Sequence, residues 1–376
     1  MPKTKPNVFD GQNITADEFF KTHWQRSPYL FTGTNLDLSC LPDANDLFKL
    51  AAQQQVQSRI IYSEDQRRYQ AIYDEPEAWQ QVLDFKPTLL VSDIEKWFPT
   101  AQRLMDGFPF IKNWRFDDLM MSFAPAGASV GAHTDHYDVF LVQVQGSRQW
   151  SYDSVPLQDA KMVADSELAV IDNYQAQLSH ELQAGDILYL PPEIPHHGIS
   201  TSDDCITCSI GLRAPSKSEL ITAVIETTAQ NMPAQDRFKD SVQSNNHDAS
   251  IGAHEISYLK AQLQSLSQLN DQQLAEYFGQ FVTGYRLLDD EQSSDLIINQ
   301  VTKTISWKKS PFAVFAYHLT TDNSSVTKAQ LFVNGETYHV SKEFAQTLCN
   351  QAQFKYLNSK DEFFAELIET QAIIPA

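Results

Sequence analysis

The stretch GAHTDHYDVFLVQVQGSRQW, residues 131–150, decides the fold because it joins a dense polar segment to strand-like runs. Two histidines and two aspartates fall within six residues, in a chain that has ten histidines. The runs that follow are short and apolar or alternating, which is typical of β-strands. The stretch therefore predicts a β domain in which a polar segment enters a strand.

Similar short runs lie on both sides of this stretch: DLMMSFAP before it, and HELQAGDILYLPP and CITCSIGLRAP after it. Gly, Pro and Asp separate the runs, and several short strands at this spacing indicate an antiparallel sandwich or barrel. The first hundred residues differ, since their pattern is mixed and mostly helical. We expect helices in three stretches there: ADEFFKTHWQRSPYLF, DANDLFKLAAQQ and EPEAWQQVLDF.

The pattern changes again after Pro215. SKSELITAVIETTAQ begins with a capping box formed by Ser216 and Glu219, which predicts a helix. Further helices are expected near residues 255–285. FAVFAYHL and LFVNGETYHV then resemble strands, and Asn334-Gly335 is a strong hairpin signal. Helices with a small hairpin indicate a winged-helix-like module.

Charge and composition exclude several classes of protein. The 376 residues include 28 Lys and Arg against 48 Asp and Glu, a net charge of −20. We therefore expect no basic surface for direct nucleic-acid binding. The negative charge would suit a basic protein partner, or it could serve only to keep the protein soluble. We expect no secretory signal, no membrane span and a cytoplasmic location. Cys205 and Cys208 are three apart on a predicted strand and point to opposite faces, which disfavours a zinc or redox site.

The polar segment carries the first sign of a metal site. If it enters a strand, His133, Asp135 and Tyr137 share one face. A His-x-Asp pair on one face supplies two of the three ligands of the 2-His-1-carboxylate triad that binds non-haem Fe(II).

A third ligand would come from EIPHHGIS, in which His196 and His197 follow a predicted strand. Adjacent strand residues point apart, so only one of them can reach the metal. A zinc site with the same ligands and a set of solvated loop histidines are the alternatives.

An Fe(II) oxygenase also needs a two-electron donor, most often 2-oxoglutarate, whose distal carboxylate calls for a bidentate cation. Arg148 on the next strand-like run suits this role, and the Ser122 hydroxyl can donate to the same carboxylate. A surface arginine and an ordinary strand serine are the alternatives.

Strand alternation gives one more candidate pocket. Asp118, Met120 and Ser122 share a face, so the first two would open towards the mouth of the pocket in which Ser122 lies. With Tyr137 they offer a carboxylate, an apolar wall and an aromatic ring, which suits a guanidinium or ammonium side chain. The alternative is that these residues only cap a strand and fill the core.

These residues carry a family resemblance. DDLMMSF, VGAHTDHYDVFLVQVQGSRQW, GDILYLPPEIPHHGIS and CSIGLRAP resemble the bacterial JmjC ribosomal oxygenases of the cupin superfamily, over about residues 110–215. The resemblance implies a mainly β fold with added helices, built on a double-stranded β-helix or jelly roll. It also implies three domains: a catalytic domain with an N-terminal helical elaboration (1–215), a helical dimerisation segment (216–268) and a winged-helix-like domain (269–376).

The resemblance further implies an Fe(II)-, 2-oxoglutarate- and O₂-dependent hydroxylase. Its substrate would be the β-carbon of an arginine in a basic large-subunit ribosomal protein, and the enzyme would be a homodimer. The family's metal ligands fall on His133, Asp135 and His196. Its cosubstrate residues fall on Arg148 and Ser122, and its substrate residues on Asp118, Met120 and Tyr137.

His197 departs from the family pattern and leaves open which histidine binds iron. Other protein oxygenases, a histidine hydroxylase or a lysine demethylase, remain alternatives, although the acidic and aromatic pocket favours a cation. A non-catalytic cupin-like binding module is also open, but an intact triad with Arg148 argues against it. A small-molecule cupin enzyme would not need the helical segment or the C-terminal module.

Overall fold

The structure is a computed structural model that describes residues 7–73, 75–240, 249–286, 306–320, 328–355 and 362–376. The chain divides into two compact units, Met1–Ala214 and Pro215–Ala376. The finer division at residue 268 stays a prediction. Within the described residues, no helix is both long and apolar enough to cross a membrane.

The first unit is built on two antiparallel sheets. Its strands are β1 (Tyr29–Phe31), β2 (Ser58–Tyr62), β3 (Gln70–Tyr73), β4 (Thr88–Val91), β5 (Phe116–Ala124), β6 (Val139–Gln145), β7 (Ser147–Tyr152), β8 (Leu178–Gln183), β9 (Ile187–Leu190), β10 (His196–Ser200) and β11 (Cys205–Leu212). The major sheet has the order β1-β9-β6-β11-β5-β4-β2-β3, and the minor sheet the order β10-β7-β8.

The two sheets share a core. Buried side chains of β6 and β9 in the major sheet pack with those of β7 and β8 in the minor sheet, including Leu141, Leu188, Trp150 and Leu182. Burying this apolar surface between two layers is what stabilises a sandwich of this kind. The predicted mainly β core with antiparallel strands is therefore confirmed.

The N-terminal hundred residues are less helical than their sequence predicts. Helices form at α1 (Ala16–Thr22), α2 (Ala44–Ala51), α3 (Ile94–Trp97) and α4 (Gln102–Met105), and Pro76–Phe85 is a 3₁₀ helix. However, β1 to β4 also lie in this part and extend both ends of the major sheet. Strands of three to five residues carry too little periodicity to be detected, and pairing with neighbouring strands decides their conformation.

The polar segment of the opening stretch is also corrected. Residues 131–138 form a loop, which we call the metal loop, and the strand begins only at Val139. Strand alternation therefore does not apply to His133, Asp135 and Tyr137. A single antiparallel bridge between His133 and His196 holds the loop to the minor sheet instead.

The second unit mixes helices and short strands. Its elements are α5 (Lys217–Gln230), α6 (Ala253–Leu266), α7 (Asp271–Thr283), β12 (Ser306–Lys309), β13 (Phe315–Thr320), β14 (Lys328–Val333), β15 (Glu336–Ser341), α8 (Lys342–Asn350), β16 (Gln353–Lys355), α9 (Glu362–Glu369) and β17 (Ile373–Pro375). The capping box of Ser216 with Glu219 is confirmed.

The hairpin predicted at Asn334-Gly335 is also present. It joins β14 to β15, and both turn residues have positive φ, as a two-residue hairpin turn requires. The sheet β16-β12-β17, by contrast, was not predicted.

Candidate active site

Three side chains of the first unit form a group suited to a metal ion. His133 and Asp135 lie in the metal loop, and His196 is the first residue of β10. Their ligand atoms all lie within 4.8 Å of one another, and His196 Nε2 is 3.6 Å from Asp135 Oδ2. The backbone fixes this arrangement, because His133 and His196 exchange N–H···O bonds of 3.0 and 2.9 Å.

The hydrogen bonds of the two histidines define their tautomers. His133 Nδ1 lies 3.0 Å from the carbonyl oxygen of Gly131, and His196 Nδ1 lies 2.9 Å from that of Ile194. A carbonyl can only accept, so each Nδ1 carries the proton. Each Nε2 therefore keeps a free lone pair, the state that a metal-binding histidine needs.

The surroundings of these side chains disfavour charge on them. Burial, and then the charge of His133, lowers the pKa of His196 to about 3, so this ring is neutral at physiological pH. Burial also raises the pKa of Asp135, against the opposing effects of His133, His136 and a hydrogen bond from Tyr137. Two imidazoles and a desolvated carboxylate fit a divalent cation, and this set of two nitrogen donors and one oxygen donor is the one that non-haem Fe(II) prefers.

His197 has a different environment from its neighbour. Its Nε2 lies 2.9 Å from the hydroxyl of Ser129, and the side chain is half-buried, whereas His196 is only 2% exposed. Geometry therefore groups His196, and not His197, with Asp135 and His133.

Arg148 is a buried cation with unused donors. It lies on β7, is 3% exposed, and its guanidinium carbon is 5.6 Å from the ring centroid of Trp150. Its Nε and Nη2 atoms have no hydrogen-bond partner among the residues that the structure describes. Leaving such donors unpaired costs free energy, and an anionic ligand such as a carboxylate would satisfy them.

Ser122 is the second predicted cosubstrate residue. It is buried on β5, and its hydroxyl donates to the carbonyl of Thr207 on β11 at 3.5 Å, the outer limit of a hydrogen bond. A hydroxyl held this weakly can rotate towards a better acceptor.

The predicted substrate residues also lie near one another. Burial, followed by the charges of Asp135, Asp118 and Asp117, raises the pKa of the half-exposed Tyr137, so these carboxylates act on its hydroxyl. Met120, two residues along β5 from Asp118, is partly buried against the apolar cluster of Ile61, Tyr69, Leu90, Val163 and Val170.

Arg59 is a residue of this region that the sequence did not indicate. Its Nη2 lies 3.6 Å from Met120 Sδ, and its charge opposes the rise in the pKa of Tyr137. It lies on β2, one of the short strands that the sequence pattern missed, so no motif marked it.

The cysteine pair has two separate environments. Cys208 belongs to the main apolar core, while the Cys205 thiol accepts a hydrogen bond from Gln143 at 3.4 Å. All four cysteines are buried, and none forms a disulfide.

Comparisons with known proteins place these features in a family context. Residues 103–220 match the JmjC domain. The chain is 30% identical over 272 residues to the ribosomal protein uL16 3-hydroxylase of Escherichia coli, a match that spans 72% of this chain and 71% of that protein. It is 34% identical over 225 residues to a probable ribosomal oxygenase of Haemophilus influenzae, across 57% and 53% of the two chains.

Solved structures extend the similarity to nearly the whole chain. The X-ray structure of E. coli ycfD superposes with a TM-score of 0.78 at 24% identity, covering 96% of this chain and 98% of that one. The E. coli ribosomal oxygenase YcfD in complex with cobalt and succinic acid has a TM-score of 0.73 at 25% identity, with the same coverage.

Proposed function

We propose a reaction from the premise that this chain belongs to the JmjC-domain ribosomal oxygenases, the family of the E. coli uL16 3-hydroxylase. The chain is an Fe(II)- and 2-oxoglutarate-dependent protein hydroxylase. Its proposed substrate is an arginine side chain of a large-subunit ribosomal protein, hydroxylated at the β-carbon. The observation that carries this proposal is the triad His133, Asp135 and His196 in the same unit as the buried Arg148, two of whose donor atoms have no partner among the described residues.

The chemistry divides between the bound groups and the protein. Bound Fe(II), with 2-oxoglutarate and O₂, supplies the oxidising power that places one oxygen atom on an unactivated C–H bond and leaves succinate and CO₂. His133 and His196 would hold the metal through Nε2 and Asp135 through its carboxylate. Three protein ligands leave the remaining coordination positions for the reactants.

Arg148 and Ser122 would bind the distal carboxylate of 2-oxoglutarate. The two unpaired donors of Arg148 suit a bidentate contact, and the buried site strengthens it by excluding water. The Ser122 hydroxyl would add a third donor by turning from its long contact with Thr207. Together these contacts would set the orientation of the cosubstrate before the protein substrate arrives.

Asp118, Met120 and Tyr137 would hold the substrate arginine. The carboxylate of Asp118 would pair with the guanidinium, and the ring of Tyr137 would provide a face for a cation–π contact. The carboxylates that raise the pKa of Tyr137 make this region electronegative, which favours a cation over a neutral imidazole. The net charge of −20 would attract a basic ribosomal protein over longer distances.

The wider setting is also a proposal. We expect a cytoplasmic homodimer that does not bind nucleic acid directly, with the helical segment 216–268 as its interface. The domain after residue 269 would be a winged-helix-like module that extends the surface available to a protein substrate. The exposed apolar residues of α5 and α6, among them Ile221 and Leu259, support an interface in the helical segment.

Mass spectrometry of the product tests the proposed reaction. The protein would be incubated with Fe(II), 2-oxoglutarate, O₂ and a peptide that carries an arginine of uL16, beside a His133→Ala control. A gain of one oxygen on arginine, absent in the control, is the expected result. Succinate release without this gain would favour a histidine hydroxylase or lysine demethylase, and neither signal from metal-loaded protein would favour a binding module.

A further inference from the structure

A buried glutamine lies behind the two residues that are proposed to hold 2-oxoglutarate. Gln143 is on β6 and is 0% exposed, in a sheet whose other buried positions are mostly apolar. Its Oε1 accepts from the Thr207 hydroxyl at 3.1 Å. Its Nε2 donates to the carbonyl of Gln145 at 2.8 Å, and more weakly to that of Ile206 at 3.3 Å. A buried amide is stable only when its donors and acceptor are used in this way.

One set of contacts links Gln143 to Ser122. Thr207 on β11 pairs with Gln143 on one side and with Ser122 on the other, since β11 lies between β6 and β5. The Thr207 hydroxyl donates to Gln143, and the Thr207 carbonyl accepts from the Ser122 hydroxyl at 3.5 Å. Gln143 and Ser122 therefore both contact Thr207, the first through its hydroxyl and the second through its carbonyl.

A second set of contacts links Gln143 to Arg148. The Gln143 Nε2 atom donates to the Cys205 thiol at 3.4 Å. Burial favours the neutral thiol, but the charge and hydrogen bond of Arg148, with the hydrogen bonds of Gln143 and Ser200, lower the pKa of Cys205 overall. The thiol that accepts from Gln143 is therefore also the one on which the charge of Arg148 acts.

We propose that Gln143 is a positioning residue for 2-oxoglutarate, since it orients Thr207, from which the Ser122 hydroxyl would turn to the cosubstrate, and contacts the Cys205 thiol on which Arg148 also acts. The inference rests on the proposed function, because it assigns the distal carboxylate to Arg148 and Ser122. It requires an amide at this position: leucine would remove every contact, and glutamate would place a carboxylate that competes with the cosubstrate for the guanidinium of Arg148.

Calorimetry with the Co(II)-loaded protein tests the proposal without relying on turnover. Gln143→Leu is expected to weaken 2-oxoglutarate binding about tenfold, as the loss of a buried hydrogen-bonded group predicts. The affinities for Co(II) and for the peptide, measured by the same calorimetry, should stay unchanged, which distinguishes positioning from a general loss of structure. Gln143→Glu is expected to weaken 2-oxoglutarate binding further, and to bring the affinity for 2-oxoadipate, which is one methylene longer, closer to that for 2-oxoglutarate.

Three further variants make the outcome decisive. Gln149→Leu is the matched control, because Gln149 adjoins Arg148 on β7 but bonds to Ser179 on the exposed side. Thr207→Val removes one hydroxyl while keeping nearly the same side-chain shape, and it should also weaken cosubstrate binding. This variant keeps the test available if Gln143→Leu does not fold. The inference would be overturned if Thr207→Val and folded Gln143→Leu bind 2-oxoglutarate normally while Arg148→Ala does not. Normal binding in Arg148→Ala would overturn the proposed function itself.

Discussion

The adjacent histidines His196 and His197 differ in what their rings contact. His196 Nε2 faces Asp135, while His197 Nε2 faces the Ser129 hydroxyl. We predict that His196→Ala lowers Co(II) affinity by more than the roughly 10- to 100-fold typical of losing an outer partner, because it removes a direct ligand. His197→Ala should retain metal affinity. Titration of the cobalt absorption bands would measure both, and the reverse order would reassign the third ligand.

The stability of the folded protein in acid depends on the protonation of the same His196 ring. The pKa of His196 lies near 3 in the folded chain and near 6.5 ordinarily. Between these values the unfolded chain binds a proton that the folded chain does not, so the free energy of unfolding falls as the pH falls. Each pH unit in this window costs at most about 1.4 kcal/mol.

Urea unfolding of the metal-free protein at two pH values measures this effect. From pH 7 to pH 5 the native chain should lose more stability than His196→Gln, in which the titrating ring is absent and all other ionisable groups are shared. An equal loss in the two proteins would show that the His196 ring is not held neutral by the fold.

The sequence identified single residues where a chemical pattern is local. His133 and Asp135 are two apart, and this spacing indicated a metal site once a second histidine followed about sixty residues later in a strand-rich segment. Arg59 and Gln143 gave no signal, because their roles depend on strands that meet only in the folded chain. Choosing His196 over His197 needed the family resemblance, and the structure supplies the geometry behind that choice.

At the scale of elements, the metal loop is fixed at both ends. The bridge between His133 and His196 holds its start. At its end, the fully buried Asp138 accepts from Arg115 at 3.0 Å, from Tyr189 at 2.6 Å and from Gln25 at 2.9 Å. The N-terminal elaboration therefore supports the loop directly through Gln25.

This anchor gives a stability prediction. Arg115→Ala leaves the Asp138 carboxylate buried without its cation, a change that costs about 3–5 kcal/mol. Adding Asp138→Asn should recover part of that loss, because the amide needs no counter-charge. Urea unfolding of the single and double variants measures the difference, and equal stabilities would mean that the charge of Asp138 is balanced elsewhere.

The loop also shows that His133 and Asp135 come together by a different route from the one predicted. Strand alternation put His133 and Asp135 on one face, yet residues 131–138 are not a strand. The ligands converge because two hydrogen-bonded ends fold the loop over β10. Spacing was therefore informative, but the backbone that produces the convergence depends on partners sixty residues away.

At the scale of the whole molecule, the exposed stripe on α6 supports the proposed dimer. Ile256, Leu259 and Leu263 lie on one helical face, and none is buried within the chain. We predict that Leu259→Lys with Leu263→Lys produces monomers. Gln262→Lys with Gln264→Lys, which changes the charge equally on the same helix, should stay dimeric. Light scattering distinguishes the two, and dimers in both would place the interface elsewhere.

The large-scale architecture was predictable only in part. Alternating runs between residues 118 and 215 predicted the antiparallel sheets, and the caps at Ser216 and the turn at Asn334 located later elements. The order of strands in the major sheet was not predictable, because no local pattern records which strands pair across eighty residues.

That strand order has a consequence for how the chain is made. β11 lies between β5 and β6, although it is the last strand of the first unit to be synthesised. Until it emerges, β5 and β6 each have an open edge that can pair with another chain. Pairing across so many residues is also slow. We expect the nascent catalytic unit to remain unfinished until residue 212 has emerged, and to depend on chaperones during that interval.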